Sequence, residues 1–198
     1  MPPANLRRRR ALADAAIALL AEEGMHGVTH RAVEARAGVP AGTATNYFRN
    51  REALLVAAAE RVLELHTADM AAATEGMAGP TGPEELTDMI AASLWGAATV
   101  LRDRYLAIFE LRLEARRRPA LEEVLGRLER AVLADTVDLH EVLGTSVPPG
   151  AVATLATLYG GALFTLVTGP AGAFGQADVR RLVAAMVRGA AGPDRDPA

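Results

Sequence analysis

Between Thr29 and Arg51 the chain gathers side chains suited to one kind of chemistry, hydrogen bonding to a polyanion and to the bases it carries. Asn46 has an amide that donates and accepts in one plane, which is the pattern an adenine edge requires in a major groove. Thr45 offers a methyl group that can meet a thymine methyl, and Thr43 stands two positions before it. Thr29, Tyr47 and Arg51 supply two hydroxyls and a guanidinium for phosphate oxygens, with Arg31 and the run Arg7 to Arg10 as weaker candidates.

Covalent chemistry has far less to draw on. The two serines, Ser93 and Ser146, lie in no nucleophile elbow. Without cysteine there is no thiolate nucleophile, disulfide framework or zinc knuckle. His26 and His30 have the i, i+4 spacing of metal ligands, but Gly27 lies between them and no H-E-x-x-H is present. No phosphate-binding loop or dinucleotide fingerprint occurs, and the pair Glu122–Glu123 reads as the solvated start of a helix. The expectation is a protein that is not an enzyme and needs neither cofactor nor metal.

The elements that must position the Thr29–Arg51 side chains follow from local rules. Thr29 is a good N-cap, because its hydroxyl accepts from a free N–H in the first turn. Ala32, Val33 and Ala37 give the helix after it a small apolar face. Gly38 can take positive φ and stop that helix, and Val39 is expected to be buried in the turn. Pro40 suits the first turn of a second helix, expected over Pro40 to Tyr47 with Pro40 and Ala41 leading it. That helix holds Gly42, Thr43, Thr45 and Asn46, all poor helix formers. Such a composition sacrifices stability and lets the backbone approach a groove closely. Asn50 then caps a longer helix from Arg51 past Leu65, striped by Leu54, Leu55, Ala58, Val62 and Leu65.

These residues, in the order A-G-V-P-A-G-T-A-T-N-Y-F-R-N-R-E-A-L-L, resemble the helix-turn-helix signature of the TetR family of bacterial transcriptional regulators. The likeness runs without gaps from about Leu12 to Leu55 and includes Gly24, Gly27, Val28, Thr29, Ala37, Gly38, Val39, Gly42, Thr43, Phe48 and Leu54. The chain departs from the family at Pro40, where Ser is usual, at Thr45, where an aromatic is usual, and at Arg51, where Lys is usual. The aromatic's phosphate contact is thereby in question at Thr45, and Tyr47 is placed to carry it. The resemblance implies an all-α protein of about nine helices, with a three-helix DNA-binding module over residues 1–50, a helical ligand-binding and dimerisation domain over 51–191 and a tail over 192–198. It also implies a homodimer formed through the last two long helices, on a palindromic double-stranded DNA operator. A small-molecule effector would release a repressor of this kind; the alternative is a regulator controlled by a protein partner or by no ligand.

Composition agrees with this picture. Of 198 residues, 51% are hydrophobic and only 4% aromatic, so the core must be Ala, Leu and Val, which favours helix over sheet. The net charge of −3 alone argues against nucleic acid, but it is unevenly spread: residues 1–51 carry eight Arg against four acids, and the remainder thirteen Arg against twenty. A basic N-terminal module on an acidic body is what a DNA-binder with a separate regulatory domain should show. All of the positive charge is arginine. No secretory signal is evident, and a cytoplasmic location is expected.

Helices are further expected at about 84–101, 104–118, 119–144, 151–168 and 177–188, with a Gly/Pro-rich linker at 76–83. Tyr105, Leu106, Ile108, Phe109 and Leu113 are the apolar positions of the second of these. Ala151 to Thr168 is uncharged and approaches the ~20 residues of a membrane span, but its threonines and missing basic flanks argue for burial between its own domain and a partner subunit, and no membrane role is expected. Trp95, Tyr105, Phe109, Tyr159 and Phe164 are the candidate apolar lining of an effector pocket, with core filling as the alternative for each. Arg112, Thr136 and His140 are the candidate polar contacts. Arg112 could meet an acidic ligand group or a Glu on a neighbouring helix. The expected ligand is of modest size and mainly apolar.

Overall fold

The computed structural model describes residues 3–75, 82–145, 147–170 and 172–191, and among them finds helices and no strand. In chain order these are α1 (Pro3–Gly27), α2 (His30–Ala37), α3 (Thr43–Tyr47), α4 (Arg51–Thr74), α5 (Pro83–Thr99), α6 (Arg102–Ala115), α7 (Pro119–Val142), α8 (Pro149–Thr168) and α9 (Gln176–Ala191). The all-α class is as the sequence implies. Most of the expected linker, residues 76–81, and the tail from 192 lie outside the described residues, as does Ser146.

The chain forms two compact units. The first comprises residues 1–69 and 103–129: α1 to α3, most of α4, nearly all of α6 and the first half of α7. Its core is a continuous aliphatic cluster with one large aromatic. Leu12, Leu20, Val33, Phe48, Leu54, Leu55, Leu111 and Leu121 are fully buried there, among many alanines. Each such side chain contributes about 1.5–3 kcal/mol by leaving water. The expected stripe on α1 (Leu12, Ala16, Leu19, Leu20) is buried, as are Leu54, Leu55, Ala58 and Val62 of the α4 stripe, whereas Leu65, its last member, is half-buried. On α6 the buried positions are Ala107, Ile108, Leu111 and Ala115, while Leu113, expected on the apolar face, is 69% exposed. Positions 107, 111 and 115 are four apart and hold one face; 113 falls opposite.

Ion pairs run along the outer seam of α1 and α4. Arg9 pairs with Glu60 at 2.9 Å, Arg10 with Glu64, and Arg61 bridges Asp14 at 2.8 Å and Glu64 at 2.6 Å. They are partly exposed and each adds at most about 1 kcal/mol, so they set the register of the two helices more than they hold them together.

The second unit comprises residues 70–102 and 130–198, with α5, α8 and α9 packed together. Leu86, Leu94, Val152, Leu155, Leu163, Val167, Val179, Val183 and Met186 are buried in it. Arg180 of α9 reaches Asp88 at 2.6 Å and Glu84 at 2.8 Å on α5. Helix α8 is long and apolar enough to cross a membrane, yet only 22% of its apolar stretch is buried within the chain. Leu158 and Phe164 on α8 and Leu182 on α9 are among the large apolar side chains left exposed.

Gly24 and Gly38 punctuate the first two helices of the first unit. Gly24 has a φ of 66° and interrupts α1 before its last turn. Gly38 has a φ of 64°; its N–H bonds to the Ala35 carbonyl while the Val39 N–H bonds to that of Glu34, closing α2 with a Schellman motif. No atom lies within 4 Å of where a Cβ on Gly38 would stand. Gly38→Ala therefore meets only the conformational cost of the left-handed region and should destabilise the protein by about 1–2 kcal/mol, with Gly38→Asn milder; urea unfolding of the two variants measures this.

Candidate nucleic-acid interface

Thr29 caps α2 as its sequence predicts, its Oγ1 accepting from the Ala32 N–H at 3.1 Å. Asn50 likewise caps α4, accepting from the Ala53 N–H at 2.8 Å. The second helix is shorter than expected. Pro40 and Ala41 are exposed and lie outside it, and Gly42, with a φ of 84°, turns the chain into the five-residue α3. Pro40 does not start the helix. Its carbonyl instead accepts from the N–H and the hydroxyl of Thr43. Val39 is half-buried, not fully enclosed as expected.

Helix α3 turns Ala44 and then Phe48 into the core and leaves Thr45 and Asn46 exposed. The two candidate base readers thus share the outer surface. Gly42 supplies no capping side chain, and α2 compensates. Glu34, 6% exposed, accepts from the Ala44 N–H at 2.7 Å. One turn earlier on α2, His30 donates from Nε2 to the Phe48 carbonyl at 2.8 Å, which fixes that nitrogen as the protonated one.

The candidate phosphate contacts lie around this helix. Thr29 and Arg31 are exposed. Tyr47 is half-buried and donates its hydroxyl to Asn5 Oδ1 at 3.3 Å. Arg51 sits at an unfavourable helix N-terminus for a cation, and the structure gives the reason. Its Nε donates to the Val28 carbonyl at 2.9 Å and its Nη2 to that of Met25, so it closes the C-terminal end of α1. Of the arginine run, Arg7 and Arg8 are exposed, whereas Arg9 and Arg10 are drawn onto α4 and the Arg9 guanidinium stacks 5.6 Å from the Phe48 ring centre.

Glu34 was missed by reasoning from sequence, and so was the second role of Arg51. The available signal was a negative one: a short helix whose cap position is glycine needs an acceptor from elsewhere, and Glu34 is the one acid on the preceding helix.

The candidate effector contacts divide between the two units. Tyr105, Phe109 and Arg112 belong to the first. Tyr105 and Phe109 are half-buried, and Arg112 is exposed and paired with Glu129 at 2.8 Å. Burial pushes the Tyr105 phenol above its usual range. Trp95, Thr136, His140, Tyr159 and Phe164 belong to the second. The Tyr159 hydroxyl shares a hydrogen bond with Ser93 at 3.0 Å, Thr136 bonds back to the Val132 carbonyl, and Phe164 is 50% exposed. His140 is buried, with Nδ1 2.7 Å from the Thr145 hydroxyl. Desolvation lowers its pKa below the ordinary histidine value.

A capped helix, a Gly38 turn and a second helix with exposed polar side chains, packed on α1 and α4, define a helix-turn-helix DNA-binding protein. Residues 12–58 match the family model of bacterial regulatory proteins of the tetR family, and residues 81–190 match that of the tetracyclin repressor-like C-terminal domain. The chain belongs to the TetR family of transcriptional regulators. Similar solved structures include a TetR family member from Streptomyces coelicolor A3, 27% identical over 91% of this chain and 98% of that one, with a TM-score of 0.64. The multidrug binding protein EbrR complexed with ethidium is also 27% identical, over 91% of this chain and 99% of that one, with a TM-score of 0.62. A protein from Saccharomonospora viridis in complex with choline shares the fold at 15% identity, over 92% of this chain and 96% of that one, with a TM-score of 0.74. No curated protein matches the chain in sequence.

The lowered pKa of His140 has a consequence for stability. The unfolded chain takes up a proton near the ordinary histidine value of about 6.5, while the folded chain resists it until lower pH. Stability contributed by neutral His140 is therefore complete above that value and declines as pH falls towards the folded pKa. Denaturant unfolding between pH 7.5 and 5.5 should show a smaller loss for His140→Gln than for the unaltered protein.

Proposed function

We propose that this regulator is a repressor that binds a palindromic duplex as a homodimer and is released by a small, mainly apolar ligand. The observation that carries the DNA-binding part is the exposed pair Thr45 and Asn46 on a helix with nothing within 4 Å of the missing Cβ of Gly42, so that its backbone can approach a groove. Thr43, Thr45 and Asn46 then face base edges, Thr43 through its methyl, with Pro40 and Ala41 against the DNA just before them. Thr29, Arg31, Tyr47 and Arg51 face phosphates. Arg51 has donors to spare beyond the two engaged with Met25 and Val28, and Tyr47 would exchange Asn5 for a phosphate oxygen. In a dimer on one face of DNA the two α3 helices would sit about 34–36 Å apart.

The exposed, uncharged face of α8 supports the homodimer. Leu158, Gly160, Gly161 and Phe164 lie on it and Leu182 is exposed on α9, and a second copy covering them would keep α8 out of a membrane and the protein cytoplasmic. The ligands held by EbrR and by the Saccharomonospora viridis protein support an effector role. Candidate contacts are proposed within each unit separately: Tyr105 and Phe109 in the first, and Trp95, Thr136, His140, Tyr159 and Phe164 in the second. Arg112 is engaged with Glu129, and nothing else supports an acidic end on the ligand. A differential affinity of ~1–3 kcal/mol between the DNA-competent and incompetent states changes operator affinity ~5–150-fold.

Two experiments test this. Asn46→Ala should cost about 1–3 kcal/mol on a duplex selected by the unaltered protein and little on random DNA, whereas Arg51→Ala should weaken both and flatten the salt slope by about one unit. A uniform loss from Asn46→Ala would remove its base-reading role. For assembly, Leu182→Glu or Gly160→Glu should sediment as a monomer with reduced operator affinity and unchanged helical content; a variant that stays dimeric would place the interface elsewhere.

A further inference from the structure

We infer that Glu34 is a positioning residue for DNA reading: from α2 it caps the recognition helix and sets how Thr45 and Asn46 are presented. The inference rests on the reading that α3 enters a DNA groove. Helix α3 has five residues, fewer than two turns, and a helix of that length has no stability of its own in water. Its N-cap is a glycine with positive φ that offers no acceptor. The Ala44 N–H is enclosed with its fully buried residue and would go unsatisfied without the Glu34 carboxylate 2.7 Å away. A carboxylate at this end also meets the positive pole of the helix, and charge-assisted bonds to backbone N–H are among the stronger hydrogen bonds.

The position of the bond in the helix makes it directive. Ala44 is the residue before Thr45 and two before Asn46, so rotation of α3 about its axis is fixed at the point where the outward side chains leave it. His30, four residues before Glu34, holds the far end through the Phe48 carbonyl. Both ends of α3 thus hang from successive turns of one helix. Among the described residues neither Thr45 nor Asn46 makes a side-chain hydrogen bond of its own to the protein, so their direction depends on the backbone beneath them. Loss of the Glu34 bond would let α3 roll or fray while the core under Phe48 keeps the unit folded.

The test uses the full-length protein and a duplex that the unaltered protein selects from a random pool. Glu34→Ala, assayed at a temperature where circular dichroism shows it folded, should lose ~10-fold or more on the selected duplex, the scale of one mispositioned bidentate base contact. Its affinity for unselected DNA and its salt slope should stay within about twofold, because the charged phosphate contacts, Arg31 and Arg51, lie outside α3, and Tyr47 sits at the end of α3 that His30 still holds. Amide exchange at Ala44 should accelerate. Glu34→Gln keeps an acceptor of the same reach and should stay within about threefold of the unaltered protein, whereas Glu34→Asp, one methylene short, should fall with Glu34→Ala. If Glu34→Ala does not fold, the Gln and Asp variants decide by the same comparison. Undiminished binding of the selected duplex by Glu34→Ala, a parallel loss on selected and unselected DNA, or a Gln variant as weak as the Asp variant would each overturn the positioning role. If the unaltered protein selects no duplex, the DNA-reading function itself fails and this inference with it, a result seen before any variant is made.

Discussion

The structure depends on a helix that cannot stand by itself. Forming a helical turn fixes several dihedral angles for each hydrogen bond gained, and α3 stops after five residues, four of them taken from Thr, Asn and Tyr. Something outside it must meet the conformational cost. The core does so from below, where Ala44 and Phe48 are buried, and α2 does so from the side, with Glu34 at one end and His30 at the other. The neighbouring features serve that arrangement. Thr29 and Gly38 fix where α2 begins and ends, so that residues 30 and 34 face α3, and Asn5, Arg9 and Arg51 join α1 and α4 to the same assembly. The outward surface is thereby left free of stabilising duties.

Most of the fold could be read from short-range rules. Thr29, Gly38 and Asn50 act within three or four residues of themselves, and a cap or stop needs no knowledge of the rest of the chain. The aliphatic stripes of α1 and α4 followed from helical periodicity. Where the reading failed, a local rule met a stronger neighbour. Pro40 is well suited to open a helix, but the positive φ of Gly42 two residues later cannot lie within one. Leu113 is apolar, yet α6 turns 107, 111 and 115 inward.

The candidate site was legible as a surface and illegible as a mechanism of support. Thr45 and Asn46 could be named because they are polar where a helix built for stability would not be. Glu34 and Arg51 act across ten and more than twenty residues, and no spacing rule reaches so far. The effector contacts were harder still. Aromatic residues in a chain with so few of them are natural candidates for a pocket, but periodicity assigns a residue to a face and not to a neighbour, and those named fall in both compact units.

Arg51 also bears on how far this DNA-reading module can be moved between relatives. A lysine there could meet a phosphate, but an ammonium donates from a single nitrogen and lacks the rigid fork whose separate nitrogens meet the Met25 and Val28 carbonyls here. Arg51 is the first residue of α4, and Leu54, Leu55 and Val62 of the same helix belong to the core cluster that takes in Ala44 and Phe48. A chimera joined just before Arg51 would separate the end of α1 from its clasp and the recognition helix from its floor. The transplantable piece runs on through the buried half of α4, and its α6 and α7 neighbours in that core must be compatible with it.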